Sequence, residues 1–485
     1  MLLKTDGIGA RYQQIYRALR DQILTGVLPE KARLPSTRDL SREAGVSRNT
    51  ILLAYEQLLA EGYIVGEVGS GTFVSPDLPD APLDNLADPE ESENSGHFGL
   101  SAYATRAHVS PTPFYTQRTT RLDYDFRYGL PSVADFPFDL WRKLLTRHAR
   151  NSAIESLMYG TAAGQPRLRS AIADYLRRSR GVNCTDQQLV IVNGSQQALD
   201  LIVRALIDPN DVVVAEDPHY PGAREVFLAA GARIVLGRVD ENGLSVRELP
   251  HAARRARLAY VTPSHQFPTG VVMPLARRLE LLAWARETGA YILEDDYDSE
   301  YRYDSRPVEA VQGLDRHGHV IYAGTMSKTF FPGLRVGYLV LPPALIDVVK
   351  TLKHIADRHT PSLQQDALAD FIVEGHFERH LRRARKRNAE RRSTLLRCLT
   401  QEFGNEVSVS GANAGLHMLV WFVNRRGDES HMMVKRAEDV GVGIYPVTAY
   451  YSAPPIRAGF VMGYSALEEP AIIKGVKLLA SALRR

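Results

Sequence analysis

The chain has 485 residues, more than one hydrophobic core supports, since single cores stop growing near roughly 250–300 residues; two or more domains are expected. Its 44% hydrophobic, 24% charged and 8% aromatic residues exclude disorder along the whole length, and 59 Lys and Arg against 56 Asp and Glu leave a formal charge of +3, so a polyanionic partner must be met by a local site. Two cysteines, Cys184 and Cys398, exclude a disulfide framework and a Cys-rich metal site. No signal-like apolar stretch opens the chain and no run of about 18 apolar residues occurs, which predicts a cytoplasmic protein that does not span a membrane.

Residues 1–75 read as a small helical unit with a hairpin. Tyr12–Gly26 places Ile15, Leu19, Ile23 and Leu24 at helical spacing, and Gly26 is a stop signal. Ser36 and Asp39 stand in a capping arrangement ahead of a short second helix, which Gly45 ends. Ser47 then caps a third helix with Ile51, Leu52, Tyr55, Leu58 and Leu59 turned inward, leaving Ser47, Arg48, Asn49 and Thr50 exposed on its first turn. In a helix-turn-helix those first-turn residues enter the major groove. Arg48 and Asn49 match guanine and adenine edges; Ser47 and Thr50 suit phosphate. YIVGEVGSGTFVS alternates apolar residues around Gly66, Gly69 and Gly71, as a two-stranded wing would. Nine basic against eight acidic residues make this unit only weakly charged. Spacing alone leaves a small protein-interaction module open as the alternative.

The run LPSTRDLSREAGVSRNTILLAYEQLLAEGYIVGEVGSGTFVS is similar to the winged helix-turn-helix of the GntR family of bacterial repressors, over residues 11–75. The resemblance implies double-stranded promoter DNA as a partner. The expected contacts are Arg33, Ser36 and Arg38 on the flank, Ser47, Arg48, Asn49 and Thr50 in the groove, and Gly71 in the wing.

Ser75–Gly99 carries seven acids, four prolines and no Lys or Arg. Such composition cannot bury enough apolar surface to order itself, so residues 76–119 are expected to form a flexible acidic linker. An irregular arm packed on the larger domain is the alternative.

From residue 120 to 485, strand-like runs (LVIVN, VVVAEDP, RIVLG, LAYVTPS, AYILEDD, HVIYAGTMS, VGYLVLP) alternate with helical patterns, predicting a large α/β domain with a mostly parallel sheet. Ligands bind such sheets outside the carboxyl ends of the strands. Lys328 follows one run, where desolvation and Arg335 would disfavour its ammonium, as a Schiff-base-forming amine requires. Asp295 ends another, placed to keep a pyridine nitrogen protonated, with the Tyr297 phenol close by to bond a ring hydroxyl. Gly194, Ser195 and Gln196 form a small-residue turn into a helix N-terminus, a phosphate-binding geometry that Thr325, Ser327 and Arg335 would complete. Tyr220 could lay its ring on the coenzyme.

Together these residues resemble the pyridoxal 5′-phosphate (PLP) site of fold-type-I aminotransferases, over residues 120–485. Two departures stand out. Thr262–Gly270, TPSHQFPTG, has Phe267 where that family has Asn, which makes His265 or Gln266 the expected neighbour of the ring oxygen. Val461 stands where the family grips the substrate carboxylate with Arg, leaving Arg457 as the candidate effector-binding cation. Sustained transamination is therefore not expected. Downstream, eight Lys and Arg between Arg379 and Arg392 mark a helix face that is either solvated or in contact with DNA backbone or a partner subunit.

An all-α-rich winged helix-turn-helix fused to an aminotransferase-like α/β domain resembles the MocR subfamily of GntR-type regulators. The resemblance implies a domain-swapped, head-to-tail homodimer at the nucleoid, switched by PLP or by an amine. The missing carboxylate Arg points toward control of vitamin B6 synthesis. The alternatives are control of γ-aminobutyrate, taurine or other amino-compound catabolism, an active aminotransferase with a DNA-binding appendage, and a coenzyme-free scaffold.

Overall fold

The computed structural model describes residues 5–77, 99–109, 122–150, 158–303 and 308–484. It divides into two compact units, one ending at Gly99 and one beginning at Leu100.

In the first unit, α1 (Arg11–Leu24) buries Ile15, Leu19 and Ile23, one stripe at four-residue spacing. Ser36 Oγ accepts the Asp39 amide at 3.2 Å to start α2 (Thr37–Ala44), and Gly45 ends it at φ 63°, a left-handed position that glycine enters without strain. Ser47 Oγ likewise accepts the Thr50 amide at 3.2 Å to start α3 (Arg48–Ala60). Its buried stripe is Ile51, Ala54, Tyr55 and Leu58. Leu52 and Leu59, expected inward, are instead 42% and 43% exposed, because 100° per residue carries them off that stripe. The wing pairs β1 (Ile64–Glu67) with β2 (Gly71–Val74) antiparallel, from Ile64↔Val74 to Glu67↔Gly71. Ile64 and Val74 close the small core over Leu19, Leu40, Ile51 and Leu58, each side chain contributing roughly 1.5–3 kcal/mol by burial.

The second unit opens with α4 (Ala102–Val109). Its main sheet comprises β3 (Leu189–Val192), β4 (Val212–Asp217), β5 (Arg233–Asp240), β6 (Gly243–Leu244), β7 (Ala256–Val261), β8 (Tyr291–Asp296), β9 (Val320–Thr325) and β10 (Gly337–Val340). The spatial order is β3-β10-β9-β8-β7-β4-β5-β6. Neighbours from β9 to β5 run parallel, whereas β10 is antiparallel to both β9 and β3, so the sheet is mixed. The strands read as Val/Ile/Leu/Ala runs without alternation because helices such as α5 (Ser195–Leu206) and α6 (Pro221–Ala230) cover the sheet. α4, within the stretch expected to be linker, packs on α6: Arg106 Nε donates to Ala229 O at 3.0 Å. The remainder of that stretch, apart from Pro76, Asp77 and Gly99–Ser101, lies outside the described residues.

A second, four-stranded antiparallel sheet follows the long helix α7 (His376–Phe403): β11 (Val407–Ser410), β12 (His417–Arg426), β13 (Tyr445–Pro446) and β14 (Arg457–Gly463), in order β11-β12-β14-β13. The α7 cations divide between two faces. Arg387 and Arg391 pair with Asp135, and Arg385 Nε donates to Glu300 O; Arg379, Arg382, Arg383 and Lys386 are exposed. Cys184 and Cys398 are buried free thiols. Among the described residues no helix is long and apolar enough to cross a membrane.

Candidate functional site

The carboxyl ends of β3, β4, β7, β8 and β9 open onto one cavity of about 590 Å³. Ser195, Gln196, Tyr220, Asp295, Tyr297, Thr325, Ser327, Lys328 and Arg335 all line it, as the sequence predicts, together with Tyr128, Tyr260, Phe267 and His417. Lys328 Nζ donates to Gly129 O at 2.7 Å. Burial lowers the lysine pKa below its ordinary range and Arg335 adds to the effect, against the opposing pull of Asp298 and Asp295.

Asp295 is the penultimate residue of β8, with 5% exposure. Its Oδ2 accepts from the Tyr260 hydroxyl at 2.9 Å, while Oδ1 is buried without a partner. Burial raises this carboxyl from 3.8 to about 6.

At the opposite end, Gly194 enters α5 at φ 86°, and a Cβ there would stand 2.9 Å from Arg335 Nη2. Arg335 itself takes a left-handed φ of 52° and donates from Nη2 to Asn193 O at 2.7 Å. A non-glycine residue in that region costs of order 1–3 kcal/mol, a strain characteristic of ligand clamps. The guanidinium thereby lies beside the first-turn amides of α5, which a helix leaves without internal partners. Thr325 Oγ1 accepts the Ser327 amide at 3.1 Å and fixes the turn ahead of Lys328. Tyr220 caps α6 with its ring edge-on to Phe267, centroids 6.0 Å apart.

Three expectations need correction. His265 is not in the cavity wall: Asp298 holds its Nδ1 at 3.0 Å, and the imidazole is 2% exposed. Gln266 also turns away, its amide donating to Pro218 O, Phe267 O and Glu216 Oε2. The wall there is Phe267, with Tyr297 behind the ring-oxygen position and its hydroxyl donating to His265 O at 2.9 Å. Arg457 is exposed at the start of β14, in register with Arg426. Val461, four residues on and about 13 Å along the strand, is buried against Phe267 and Tyr450. No cation from β14 therefore reaches the cavity.

Sequence reasoning missed Tyr128, Tyr260 and His417. Tyr260 sits inside an apolar strand run, and His417 is a lone histidine opening a strand; neither carries a spacing signal.

In the first unit Arg33, Ser36, Arg38, Ser47, Arg48 and Asn49 are exposed. Ser47 and Thr50 satisfy each other, hydroxyl to hydroxyl at 2.8 Å, so the outward side chains of the first turn are Arg48, whose Nε reaches Thr37 Oγ1 at 3.3 Å, and Asn49. Gly71, at φ 122°, lets the Arg33 guanidinium lie on the wing, where a Cβ would stand 3.2 Å from Arg33 Nε.

Comparison with known proteins agrees with this division. Residues 11–74 match the gntR family of bacterial regulatory proteins, and residues 132–462 match aminotransferase class I and II. The chain is 39% identical, over 99% of its length and 95% of the relative's, to a probable rhizopine catabolism regulatory protein, MocR, of Rhizobium meliloti. It is 30% identical to the pyridoxine biosynthesis regulator PdxR of Corynebacterium glutamicum, covering 95% of this chain and 93% of that one. Among solved structures, α-aminoadipate aminotransferase of Thermus thermophilus, complexed with N-(5′-phosphopyridoxyl)-L-leucine, superposes with a TM-score of 0.71 at 27% identity, covering 79% of this chain and 97% of that one. With a GntR-type head joined to an aminotransferase-type domain and a full-length relative at this identity, the chain belongs to the MocR subfamily of GntR-type transcription regulators.

Proposed function

We propose that the protein is a transcription regulator whose head binds promoter DNA and whose large domain holds PLP and answers to a small amine. The observation that carries the reading is the pairing, in one cavity, of a buried amine at Lys328, whose pKa burial lowers, with a buried carboxylate oxygen, Asp295 Oδ1, that has no partner. A buried unpaired carboxylate oxygen costs free energy, and a pyridinium N–H satisfies it. The residues fit the coenzyme at its other end also: Arg335, Thr325, Ser327 and the α5 amides at Ser195 and Gln196 provide for a phosphate, while the Tyr220 and Phe267 rings flank the space between.

When bound, PLP supplies an aldehyde that condenses with amines and a ring that withdraws electrons. The chain's own part is to ease loss of the Lys328 proton by burial, to hold the ring nitrogen protonated through Asp295, and to exclude water with Tyr128, Phe267 and His417.

An effector gripped through an α-carboxylate finds no β14 Arg in the cavity, since Val461 occupies that place and Arg457 lies at the exposed end of the strand. The fitting class is an amine without an α-carboxylate. Control by PLP itself, the vitamin B6 reading, is the second possibility, supported by the relative named for pyridoxine biosynthesis. Either ligand must bind the two conformational states unequally; a tenfold difference is worth about 1.4 kcal/mol. The working assembly is a head-to-tail homodimer, a reading that follows the resemblance to the MocR subfamily. Catalytic turnover is not part of the role.

Gel-shift titration of the upstream DNA with coenzyme-free and PLP-loaded protein, each with and without candidate amines, tests the proposal. A ligand-dependent change in operator affinity supports it. Sustained turnover of an amino acid with a 2-oxo acid would make the protein an enzyme instead.

A further inference from the structure

At the edge of the cavity lie three buried side chains, of which only His417 lines it. His265, between β7 and β8, Asp298, just past β8, and His417, at the start of β12, are 2%, 1% and 1% exposed. One donor atom from each lies within 4.8 Å of the other two. They come from three separate parts of the chain.

His417 is anchored through one nitrogen and unfilled at the other, and His265 turns Nδ1 toward Asp298. His265 Nδ1 lies 3.0 Å from Asp298 Oδ1, while Nε2, on the far side of the ring, is 3.5 Å from Gly411 O, so Nδ1 is the nitrogen that faces the same point as Asp298. His417 is held through Pro268 O, and its Nε2 is buried with no partner. Metal-bound imidazoles are held as His417 is: one ring nitrogen on a backbone carbonyl fixes the tautomer and aims the other lone pair. Gly415 lacks the Cβ that would collide with the His265 ring and Asp298 Oδ2, so the backbone leaves room for them to meet.

We propose that His265, Asp298 and His417 form a site for a divalent transition cation of the zinc class. Two imidazoles and one carboxylate suit such an ion, whereas magnesium and calcium require oxygen ligands. Bonds of 2.0–2.1 Å in a tetrahedron bring ligand atoms to about 3.3 Å from each other, so the three side chains close inward by roughly 1 Å or less each. Entry is through the cavity, which His417 lines. The fourth position is open to water or to the Tyr297 hydroxyl, 3.1 Å from His265 Nδ1.

The ion would bear on the amine next door. Asp298 is the carboxylate that most supports the Lys328 ammonium. A cation drawing on that carboxylate withdraws the support and favours the free amine at Lys328. Metal binding itself requires neither the coenzyme nor the effector.

Full-length protein is dialysed against EDTA, titrated with zinc, and assayed for metal by elemental mass spectrometry after gel filtration; cobalt replaces zinc in a parallel titration read by visible absorption. One tightly bound zinc per chain, a tetrahedral cobalt spectrum, and a loss of affinity of roughly tenfold or more in both His417→Gln and Asp298→Asn are expected. Circular dichroism checks that the variants fold, and the wild-type stoichiometry stands independently of them. Absence of stoichiometric metal in the wild type, or uptake with unchanged affinity in folded His417→Gln, overturns the proposal.

Discussion

Tyr260 donates its hydroxyl to Asp295 Oδ2 at 2.9 Å and leaves Oδ1 bare, so one carboxylate is half satisfied from within the sheet and half reserved for a ligand. The Tyr260 bond lowers the Asp295 pKa against the larger effect of burial. Tyr260→Phe removes that support, raises the pKa further and weakens the hold on a protonated ring. A five- to tenfold loss of PLP affinity is expected, corresponding to about 1–1.4 kcal/mol, read by fluorescence or absorbance titration.

Asp295 also predicts a trade of stability for function. Folding raises its pKa from 3.8 to about 6, so the folded chain binds this proton more tightly than the unfolded one. The contribution favours the fold below about pH 4 and is withdrawn as pH rises through about 6. Asp295→Asn should therefore stabilise the coenzyme-free protein at pH 7 by up to about 3 kcal/mol at 1.36 kcal/mol per pKa unit. It should flatten the pH dependence between about pH 4 and 6 while abolishing tight PLP binding. Denaturant titrations at several pH values, wild type against variant, measure both.

Gly194→Ala places a methyl group against the Arg335 guanidinium at a backbone conformation alanine resists. A stability loss of about 1–3 kcal/mol and a clear loss of PLP affinity are expected together. Thermal unfolding with and without PLP separates them, because a purely structural lesion would leave the PLP-induced rise in Tm intact.

Arg457 is exposed and apart from the cavity, so Arg457→Ala should leave the effector response of operator binding unchanged within error. A shifted effector midpoint in a gel-shift assay would restore it to the site.

In the head, Arg48→Ala and Asn49→Ala should each weaken operator binding by about 1–3 kcal/mol and relax base preference, whereas Arg38→Ala should weaken binding across sequences and reduce the salt slope by about 1. Fluorescence anisotropy over a range of salt concentrations distinguishes the two behaviours.

The parts legible in the sequence are those fixed by local rules. Ser36 and Ser47 cap their helices as their spacing indicates, and the lining residues Asp295, Thr325, Lys328 and Arg335 follow apolar runs that mark strand ends. What escaped depends on tertiary contacts. His265 was assigned to the ring oxygen by its place in TPSHQFPTG, but Asp298, 33 residues on, turns it inward. Arg457 is near Val461 in number, yet a strand carries four residues about 13 Å. Leu52 and Leu59 look like core because leucine usually is, though the α3 stripe is already filled by Ile51, Ala54, Tyr55 and Leu58. The antiparallel β11–β14 sheet mixes strands of very different length, from the 10 residues of β12 to the 2 of β13, and their burial does not alternate, so no period-two pattern marks them.

The central claim is that the Lys328 amine is where the coenzyme attaches. Borohydride reduction of PLP-loaded protein, followed by proteolysis and mass spectrometry, tests it directly. The account predicts a reduced pyridoxyl phosphate adduct on the peptide containing Lys328, and no adduct after preincubation with a competing amine that alters operator binding. An unmodified Lys328 peptide from fully loaded protein, or an adduct confined to another lysine, would contradict it.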